Sequence, residues 1–304
     1  MKIYDYAPGT KISGKRVIAL GFFDGVHKGH KAIIETACTI AKEKGLPAAL
    51  FTFRAENAEL KNSVRIYSTE KKLSILAGLG IDEVIISDFS RLKDLSAERF
   101  ITDTLLNDFG CAAAVSGEDF RFGKMAMGDT ALLKEKLSQN GAQLICPDAI
   151  YEGGEKISST RIKALLSDGR VKDAANLLGQ PYFIYSEVKR GLGKGKTFGF
   201  PTVNTEIGEG EISLLSGVYK CRVRIGESYY DAISNVGVCP TVGERKKHTE
   251  TYILSYSGEL YGENVRIEFL DFIRPEKKFD SEKELIMQIK LDISKNFDSE
   301  DIII

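Results

Sequence analysis

The sequence lacks three features that would each indicate a definite class of protein. It has no apolar run long enough to span a bilayer and no hydrophobic signal segment after Met1. It also has no surplus of charge, because 42 basic and 43 acidic side chains leave a net charge of −1. A bulk nucleic-acid binder would carry a basic surplus, so we expect no nucleic-acid partner. Because the apolar run and the signal segment are missing, we also expect no membrane partner and a cytoplasmic location.

Cysteine is scarce and scattered. The five cysteines are odd in number, and no two of them stand in Cys-x-x-Cys spacing. This pattern is typical of reduced thiols in the core of a cytoplasmic protein. The chain also has no internal repeat and no low-complexity tract, and its 304 residues are many for one core, which predicts two domains.

The first half of the chain alternates short apolar runs with helical patterns. Runs that are apolar throughout and alternate with helices indicate an α/β domain with a mostly parallel, Rossmann-like sheet. Gly179-Gln180-Pro181 then marks the predicted boundary between a domain of residues 1–180 and one of residues 181–304. We predict strands at 16–20, 47–53, 83–87, 112–116 and 142–146, and helices at 31–44, 69–79, 96–109, 129–140, 159–167 and 171–178.

The second half changes to a period of two. Basic and apolar residues alternate over 218–225, and 250–256 and 265–269 are further predicted strands. Several short strands separated by turns predict a small antiparallel β-barrel. An amphipathic helix is predicted at 281–297.

Two of the three histidines, His27 and His30, lie in a glycine-rich turn between a predicted strand and a helical pattern. Such a turn presents backbone N–H groups and the positive end of the helix dipole, which suits a phosphate at the carboxyl end of a parallel sheet. A zinc site and a surface histidine pair are the alternatives, although no third ligand accompanies His-x-x-His. The predicted nucleotide ligands in this turn, besides the imidazoles, are Gly21, Phe22, Asp24 and Gly29.

Two later segments of the first half carry further candidate ligands. In residues 117–123 a carboxylate could hold a ribose hydroxyl and aromatic rings could flank a planar ring, but an ordinary loop with packed phenylalanines fits equally well. The candidates there are Asp119, Phe120, Arg121 and Phe122. A second anion site is predicted at a helix start, where serine and threonine are also the commonest N-caps. Its residues are Ser158, Ser159, Thr160 and Arg161.

A basic, glycine-rich segment at 189–204 opens the second half. It is not a P-loop, because Arg190 stands where the first glycine should be and Pro201 blocks the helix that must follow. We predict that its backbone amides bind phosphate, and a flexible linker is the alternative. The predicted phosphate-binding residues are Gly191, Gly193, Gly195, Lys196 and Gly199.

Three residues near this segment could carry chemistry. Thr202 and Asn204 alternate onto one face of an extended strand, where both oxygens could meet one Mg²⁺. Glu250 lies on another predicted strand and could accept a proton from an attacking hydroxyl. A solvated strand glutamate is the alternative for Glu250.

Together these motifs resemble the bacterial bifunctional riboflavin kinase/FMN adenylyltransferase family, also called FAD synthetase. The chain departs from the family pattern where residues 54–57 lack the two prolines of Thr-Phe-x-Pro-x-Pro, and where Ser255 replaces an acidic residue. The matching segments are 21–30, 117–123, 157–162, 191–204, 217–219, 236–241, 260–262 and 274–279.

The resemblance implies two ATP-dependent reactions. In the second domain, the ribityl 5′-hydroxyl of riboflavin attacks the γ-phosphate of ATP to give FMN; Glu250 is then the base, and Thr202 and Asn204 bind Mg²⁺. Arg274 contributes to nucleotide or flavin binding. In the first domain, the FMN phosphate attacks the α-phosphorus of ATP to give FAD and pyrophosphate, while the two histidines and the 158–161 segment stabilise charge.

The expected partners are ATP, riboflavin, FMN and FAD, and the chain is expected to be a monomer or a weak homo-oligomer. Two other functions remain open at this point. One is a riboflavin kinase whose first domain is catalytically impaired. The other is a flavin-sensing regulator that binds riboflavin or FMN without turnover.

Overall fold

A computed structural model of the chain describes residues 1–56, 64–191, 199–241 and 244–297. The chain divides into two compact units, Met1–Ser159 and Thr160–Ile304. The domain boundary after residue 180 stays a prediction from the sequence.

The first unit is built on a six-stranded sheet in the order β1-β4-β3-β2-β5-β6. Every neighbouring pair in it is parallel, and β2, β3 and β4 are buried along almost their whole length because both faces are covered. The predicted α/β sheet is therefore confirmed. The strands are β1 (Lys2–Asp5), β2 (Arg16–Leu20), β3 (Ala48–Phe53), β4 (Glu83–Ser87), β5 (Cys111–Val115) and β6 (Gln143–Ile145).

Helices separate the strands of the first unit from β2 to β6, and buried apolar clusters lie on the two faces of its sheet. A small hairpin of β7 (Tyr151–Glu152) and β8 (Glu155–Lys156) lies outside the main sheet. The helices are α1 (Lys28–Lys44), α2 (Thr69–Leu76), α3 (Ala97–Arg99) with a π-helical continuation at Phe100–Asp108, and α4 (Thr130–Gln139).

Helix α1 begins three residues earlier than the periodicity predicts. The side chain of His27 caps it, because its Nδ1 accepts a hydrogen bond from the backbone N–H of His30 at 3.3 Å. Histidine is not among the common capping residues, so the apolar pattern marks the start too late. The other end agrees with the prediction, since Gly45 ends the helix with a left-handed φ of 62°.

The second unit contains a six-stranded antiparallel sheet in the order β10-β13-β12-β11-β14-β9. The backbone N–H of Lys189, just after β9, bonds to Asn204 O on β10 at 2.8 Å, which curls the sheet towards closure and confirms the barrel type. The elements are α5 (Ser159–Ser167), which starts at the division, α6 (Val171–Leu178), β9 (Tyr182–Glu187), β10 (Thr202–Glu206), β11 (Gly217–Ile225), β12 (Ser228–Thr241), β13 (Glu244–Ile253), β14 (Asn264–Pro275) and α7 (Glu282–Asn296).

The strand predicted at 250–256 is wrong at both ends. Strand β13 runs from Glu244 to Ile253. The backbone N–H of Leu254 bonds to Asp231 O, and Ser255 then takes a left-handed φ of 55°. A left-handed residue turns the chain out of the extended conformation, so the apolar pattern continues past the end of the strand.

The two faces of the antiparallel sheet differ. One face turns inward and buries Tyr219, Cys221 and Val223 completely. On the other face, Val218 and Ile233 pack with residues of α7 in an apolar cluster. Strand residues two apart share a face. Thr202, Asn204 and Glu250 therefore lie on the face that α7 covers, and the residues between them along each strand point inward.

Within the described part of the chain, none of the helices combines the length and the apolar character that a membrane crossing requires.

Candidate active sites

The turn after β2 has an unusual backbone. Phe23 and Val26 take left-handed φ angles of 52° and 44°, and Gly25 between them has a φ of 84°. A β-branched residue at such an angle is strained, at a cost of about 1–3 kcal/mol. Both side chains are completely buried, so packing holds the turn in this form and sets how α1 begins.

The two histidines of this turn stack on each other. Their ring centroids lie 3.6 Å apart, and the Phe23 and His30 rings form a T-shaped pair with centroids 5.2 Å apart. Burial lowers the pKa of His27 to about 4, although the nearby Asp24 carboxylate acts in the opposite direction. Burial, the neighbouring His27 and Lys72 hold the pKa of His30 well below its ordinary value. Both imidazoles are therefore neutral at pH 7.

One ring nitrogen of the pair lacks a hydrogen-bond partner among the described residues. Nδ1 of His30 is buried and has no hydrogen-bond partner among the residues that the structure describes. Buried polar atoms are otherwise nearly always hydrogen-bonded. Because both rings are neutral, a hydrogen bond from either of them to a nucleotide phosphate would come from an uncharged imidazole.

The remaining predicted residues of the turn support its shape. Asp24 accepts a hydrogen bond from the backbone N–H of Ile66 at 2.8 Å through its carboxylate, and its backbone O accepts one from Ser159 Oγ at 2.8 Å. Gly21 and Gly29 each leave room for a ring, that of Phe23 and that of His27 respectively. Ser158 and Ser159 end the first unit, whereas Thr160 and Arg161 belong to the second, and their roles as phosphate ligands stay predictions.

The segment after β5 places its side chains in different surroundings. Asp119 is exposed, and its Oδ2 lies 2.8 Å from Lys156 Nζ; the hydrogen bond with Lys156 lowers the pKa of Asp119. Arg121 lies 3.7 Å from Asp129 at the surface. Phe122 is buried against Phe100, and Phe120 stacks on Phe122 with ring centroids 5.6 Å apart. Phe120 is thus the ring nearer to the surface.

Sequence reasoning missed Lys72 on α2. Its side chain is only 2% exposed, and its ammonium group donates hydrogen bonds to Phe22 O, Thr52 Oγ1 and Phe53 O. The sequence feature that could have indicated its burial is its position four residues before the apolar Leu76, on the buried face of the helix. A lysine in a helical pattern is otherwise expected at the surface.

In the second unit, strand register brings the predicted catalytic residues together. Glu250 on β13 lies directly opposite Asn204 on β10 and opposite Asn235 on β12, so the three form one row across the sheet. The next row on the same face holds Thr202 opposite Tyr252. Direct cross-strand neighbours have Cβ atoms about 4.5–5.5 Å apart, close enough to act on one substrate.

The row opens into a cavity of about 400 Å³ under α7. This size is within the usual range for a small-molecule site. Its walls are mostly apolar, with polar groups at one side. The lining residues are Phe200, Thr202, Val218, Ile233, Asn235, Glu250, Tyr252, Arg274, Glu276, Lys277, Phe279, Leu285, Ile289 and Asp292.

An ion pair joins the cavity wall to α7. Arg274 Nε and Nη2 both lie 2.9 Å from Asp292 Oδ2, and Gln288 donates to the other carboxylate oxygen at 2.8 Å. Asp292 is buried, so the pair is shielded from water. Arg274 therefore faces the cavity in a fixed orientation with its charge already balanced.

The start of the glycine-rich segment lies close to the metal-binding candidate Asn204. A Cβ on Gly191 would collide with the side chain of Asn204, so glycine at this position lets the backbone pass without displacing the Asn204 amide. Gly199, at the far end of the loop, has a left-handed φ of 84°. The predicted phosphate ligands Gly193, Gly195 and Lys196 lie outside the described residues.

A further residue that the sequence did not indicate lies beside Glu250. His248 Nε2 is 3.5 Å from Glu250 Oε1, on the same face of β13. The Glu250 side chain is half exposed, which leaves its carboxylate open to a substrate hydroxyl. The third histidine of the chain is thus a neighbour of the predicted base.

Two family models match the chain, one in each half. Residues 10–161 match the model described as FAD synthetase. Residues 178–298 match the model described as riboflavin kinase.

Curated relatives match almost the whole length. The bifunctional riboflavin kinase/FMN adenylyltransferase of Escherichia coli strain K12 is 33% identical over 282 residues, which cover 91% of this chain and 90% of the relative. The protein of the same description from Bacillus subtilis strain 168 is 34% identical over 288 residues, with the same two coverages.

A solved structure shares the fold. A crystal structure described as a macrolide-efflux protein from Streptococcus pneumoniae has a TM-score of 0.88 and 28% identity, and the match covers 98% of this chain and all of that one. The description differs from those of the family models and curated relatives, so we take from this structure the fold alone.

Proposed function

The chain belongs to the bifunctional riboflavin kinase/FMN adenylyltransferase family, and from this premise we propose which of its residues carry the two reactions. The enzyme phosphorylates riboflavin to FMN with ATP, and it adenylylates FMN with ATP to give FAD and pyrophosphate. The two family models assign the second reaction to the first half of the chain and the first reaction to the second half.

For the kinase reaction, we assign the role of general base to Glu250. The observation that supports this assignment is the row of Asn204, Glu250 and Asn235 at the polar side of the cavity. Glu250 accepts the proton of the ribityl 5′-hydroxyl as that oxygen attacks the γ-phosphate of ATP. Asn235, held by Glu276 at 3.3 Å, is placed to orient the ribityl chain.

The residues around Glu250 fit Mg²⁺. Thr202 and Asn204 offer neutral oxygens on one face, and the Asn204 amide packs against the backbone of Gly191, where phosphates would arrive. Among the described residues, no group of three or more His, Cys, Asp or Glu could hold a metal ion, which fits an ion held by few protein ligands and the substrate phosphates. When bound, Mg²⁺ neutralises charge on the transferred phosphoryl group.

The apolar part of the cavity suits the flavin ring. Val218 and Ile233 line it from the sheet, Phe200 lines it from just before β10, and Leu285 and Ile289 line it from α7. A planar aromatic ring buried there gains hydrophobic stabilisation, while the ribityl chain points to the polar row. Arg274, oriented by Asp292, is placed to recognise the polar edge of the ring or the nucleotide.

For the adenylyltransferase reaction, we assign the ATP phosphates to the turn of residues 21–30. The N-terminus of α1 and the neutral imidazoles of His27 and His30 would donate hydrogen bonds as negative charge builds on the leaving pyrophosphate. No covalent intermediate forms on the protein, so positioning supplies the rate. We place Asp119 and Phe120 at the nucleotide ribose or the flavin.

Product analysis with riboflavin, ATP and Mg²⁺ tests the assignments, with FMN and FAD separated by chromatography. Glu250→Gln should abolish FMN formation and leave FAD formation from supplied FMN intact. His30→Ala should show the converse. FMN without FAD from the unaltered chain would indicate an impaired first unit, and tight flavin binding without any product would indicate a regulator.

We further propose that the enzyme works in the cytoplasm, where ATP is available, as a monomer or a weak homo-oligomer. Cell fractionation and analytical ultracentrifugation of the full chain test these two points.

A further inference from the structure

A buried lysine connects the two strand ends that border the adenylyltransferase turn. Lys72 Nζ donates to Phe22 O at 3.2 Å, to Thr52 Oγ1 at 3.0 Å and to Phe53 O at 2.8 Å. Phe22 follows β2, and Thr52 and Phe53 end β3, the neighbouring parallel strand. An ammonium group has three N–H donors, so all of them are used within the protein.

These contacts form a closed network. Thr52 Oγ1 donates to Phe22 O at 2.9 Å while it accepts from Lys72, so each of the three residues bonds to the other two. The Lys72 ammonium also lies 5.3 Å from the centroid of the Phe22 ring. We call Lys72, Thr52, Phe22 and Phe53 the Lys72 network.

A buried ammonium group is costly, and an apolar side chain of similar size would avoid the cost. Burial lowers the pKa of Lys72 to about 8, while the carboxylates of Asp24 and Glu56 act in the opposite direction. Lys72 is thus still mostly protonated at pH 7. Because its donors are all occupied by protein, its charge is not free to bind a phosphate directly, and its effect must come through the groups that it holds.

We propose that Lys72 is a positioning residue of the adenylyltransferase site, which fixes the Phe22 carbonyl and the end of β3 so that the strained turn presents α1 to the ATP phosphates. The inference rests on the proposed function of that turn. The turn contains the left-handed residues Phe23 and Val26, and it needs a rigid attachment just before them. The Lys72 network provides that attachment at Phe22.

The test measures FAD formation from supplied FMN in the full chain. Lys72→Met removes all three hydrogen bonds. Thr52→Val keeps the side-chain shape but removes one acceptor of Lys72 and the bond to Phe22, and Thr52→Ser is its matched control because it keeps the hydroxyl. Arg16→Lys is a control for general destabilisation: Arg16 is buried at the opposite end of β2, where it pairs with Glu83 and bonds to loop carbonyls.

We expect Lys72→Met to raise the KM for ATP about tenfold and to lower kcat about tenfold, since small misplacements of a binding group cost this much. Thr52→Val should also raise the KM for ATP and lower kcat, and Thr52→Ser should have most of the activity that Thr52→Val loses. Loss of folded molecules lowers kcat alone, so Arg16→Lys should lower the melting temperature without changing the KM. FMN formation in the second unit should stay unchanged in all four variants.

Four results separate the possibilities. An unchanged KM for ATP in both Lys72→Met and Thr52→Val overturns the inference, and so does a KM shift of the same size in Arg16→Lys. If Lys72→Met does not fold, the comparison of Thr52→Val with Thr52→Ser decides. If the unaltered chain makes no FAD from FMN, the proposed function of the turn fails, and the inference fails with it.

Discussion

The imidazoles of His27 and His30 stack with ring planes only 15° apart and centroids 3.6 Å apart. Two protonated rings in this arrangement would repel each other in a buried setting, so the stack exists with neutral rings. His27 also caps α1 through its Nδ1, which only an unprotonated nitrogen can do. The start of the helix and the protonation state of the site are therefore linked.

This link predicts a pH dependence of stability. His27 has a pKa of about 4 in the fold against an ordinary value of 6.5. Between pH 4 and pH 6.5 the unfolded chain binds more protons than the folded chain. The contribution of His27 to the stability of the fold is therefore complete above pH 6.5 and is lost as the pH falls towards 4. From pH 7 to pH 5, we expect the first unit to lose about 2 kcal/mol more stability than the His27→Gln variant.

Urea titrations measure this difference when unfolding of the first unit is monitored through hydrogen exchange at its backbone amides. The loss of stability between the two pH values is determined for each protein, and the contributions of the other titrating groups cancel in the difference between the two losses. Equal losses in the unaltered chain and in His27→Gln would show that the pKa of His27 is not lowered in the fold.

Breaking the Arg274–Asp292 pair should affect the kinase site specifically. Asp292→Asn leaves Arg274 without its buried counter-charge, which we expect to cost about 2 kcal/mol, less than for a fully buried pair because Arg274 is one-fifth exposed. A reoriented Arg274 should also raise the KM for riboflavin. Asp271→Asn, at an exposed position on the same strand, is the control, and an unchanged KM in Asp292→Asn would argue against Arg274 as a ligand.

A single methyl group at Gly191 should disturb metal binding. Gly191→Ala places a Cβ against the Asn204 amide, which must move away. We expect about tenfold more Mg²⁺ to be needed for half-maximal FMN formation, roughly 1.4 kcal/mol of binding free energy. Gly78→Ala, whose Cβ meets only an ordinary contact at 3.6 Å, should leave the Mg²⁺ requirement unchanged. The same Mg²⁺ curve for both variants would remove Asn204 from the metal site.

Glu268 is a stability residue rather than a functional one. Its buried carboxylate lies 2.6 Å from Arg222 Nη2 and 2.9 Å from Arg266 Nε. Glu268→Gln removes the charge that both arginines face, and we expect a loss of about 2–3 kcal/mol, since the arginines are partly exposed. Glu227, which pairs with Arg224, is almost fully exposed, so Glu227→Gln should change the free energy of unfolding by less than about 0.5 kcal/mol. Thermal unfolding measures the melting temperatures of Glu268→Gln and Glu227→Gln, and an equally small decrease in both would contradict the prediction.

The strands of the first unit could be predicted closely because their signal is local. The runs at β2 and β4 are buried from end to end, and their bounds agree with the prediction. Strand β12 was missed for a physical reason. Its inward-facing Ser234 bonds to Thr251 at 2.8 Å inside the barrel, so a buried hydroxyl stands where the pattern requires an apolar residue.

The amino-acid sequence alone determined the two fold types and the motifs, because apolar periodicity and glycine spacing are properties of neighbouring residues. It also identified His27, His30 and Glu250 as candidates by residue type. Only the tertiary structure decided that Lys72 is buried between two strand ends and that Glu250 shares a row with Asn204 and Asn235. These contacts join residues far apart in the chain, and strand register and packing set them, which no local pattern records.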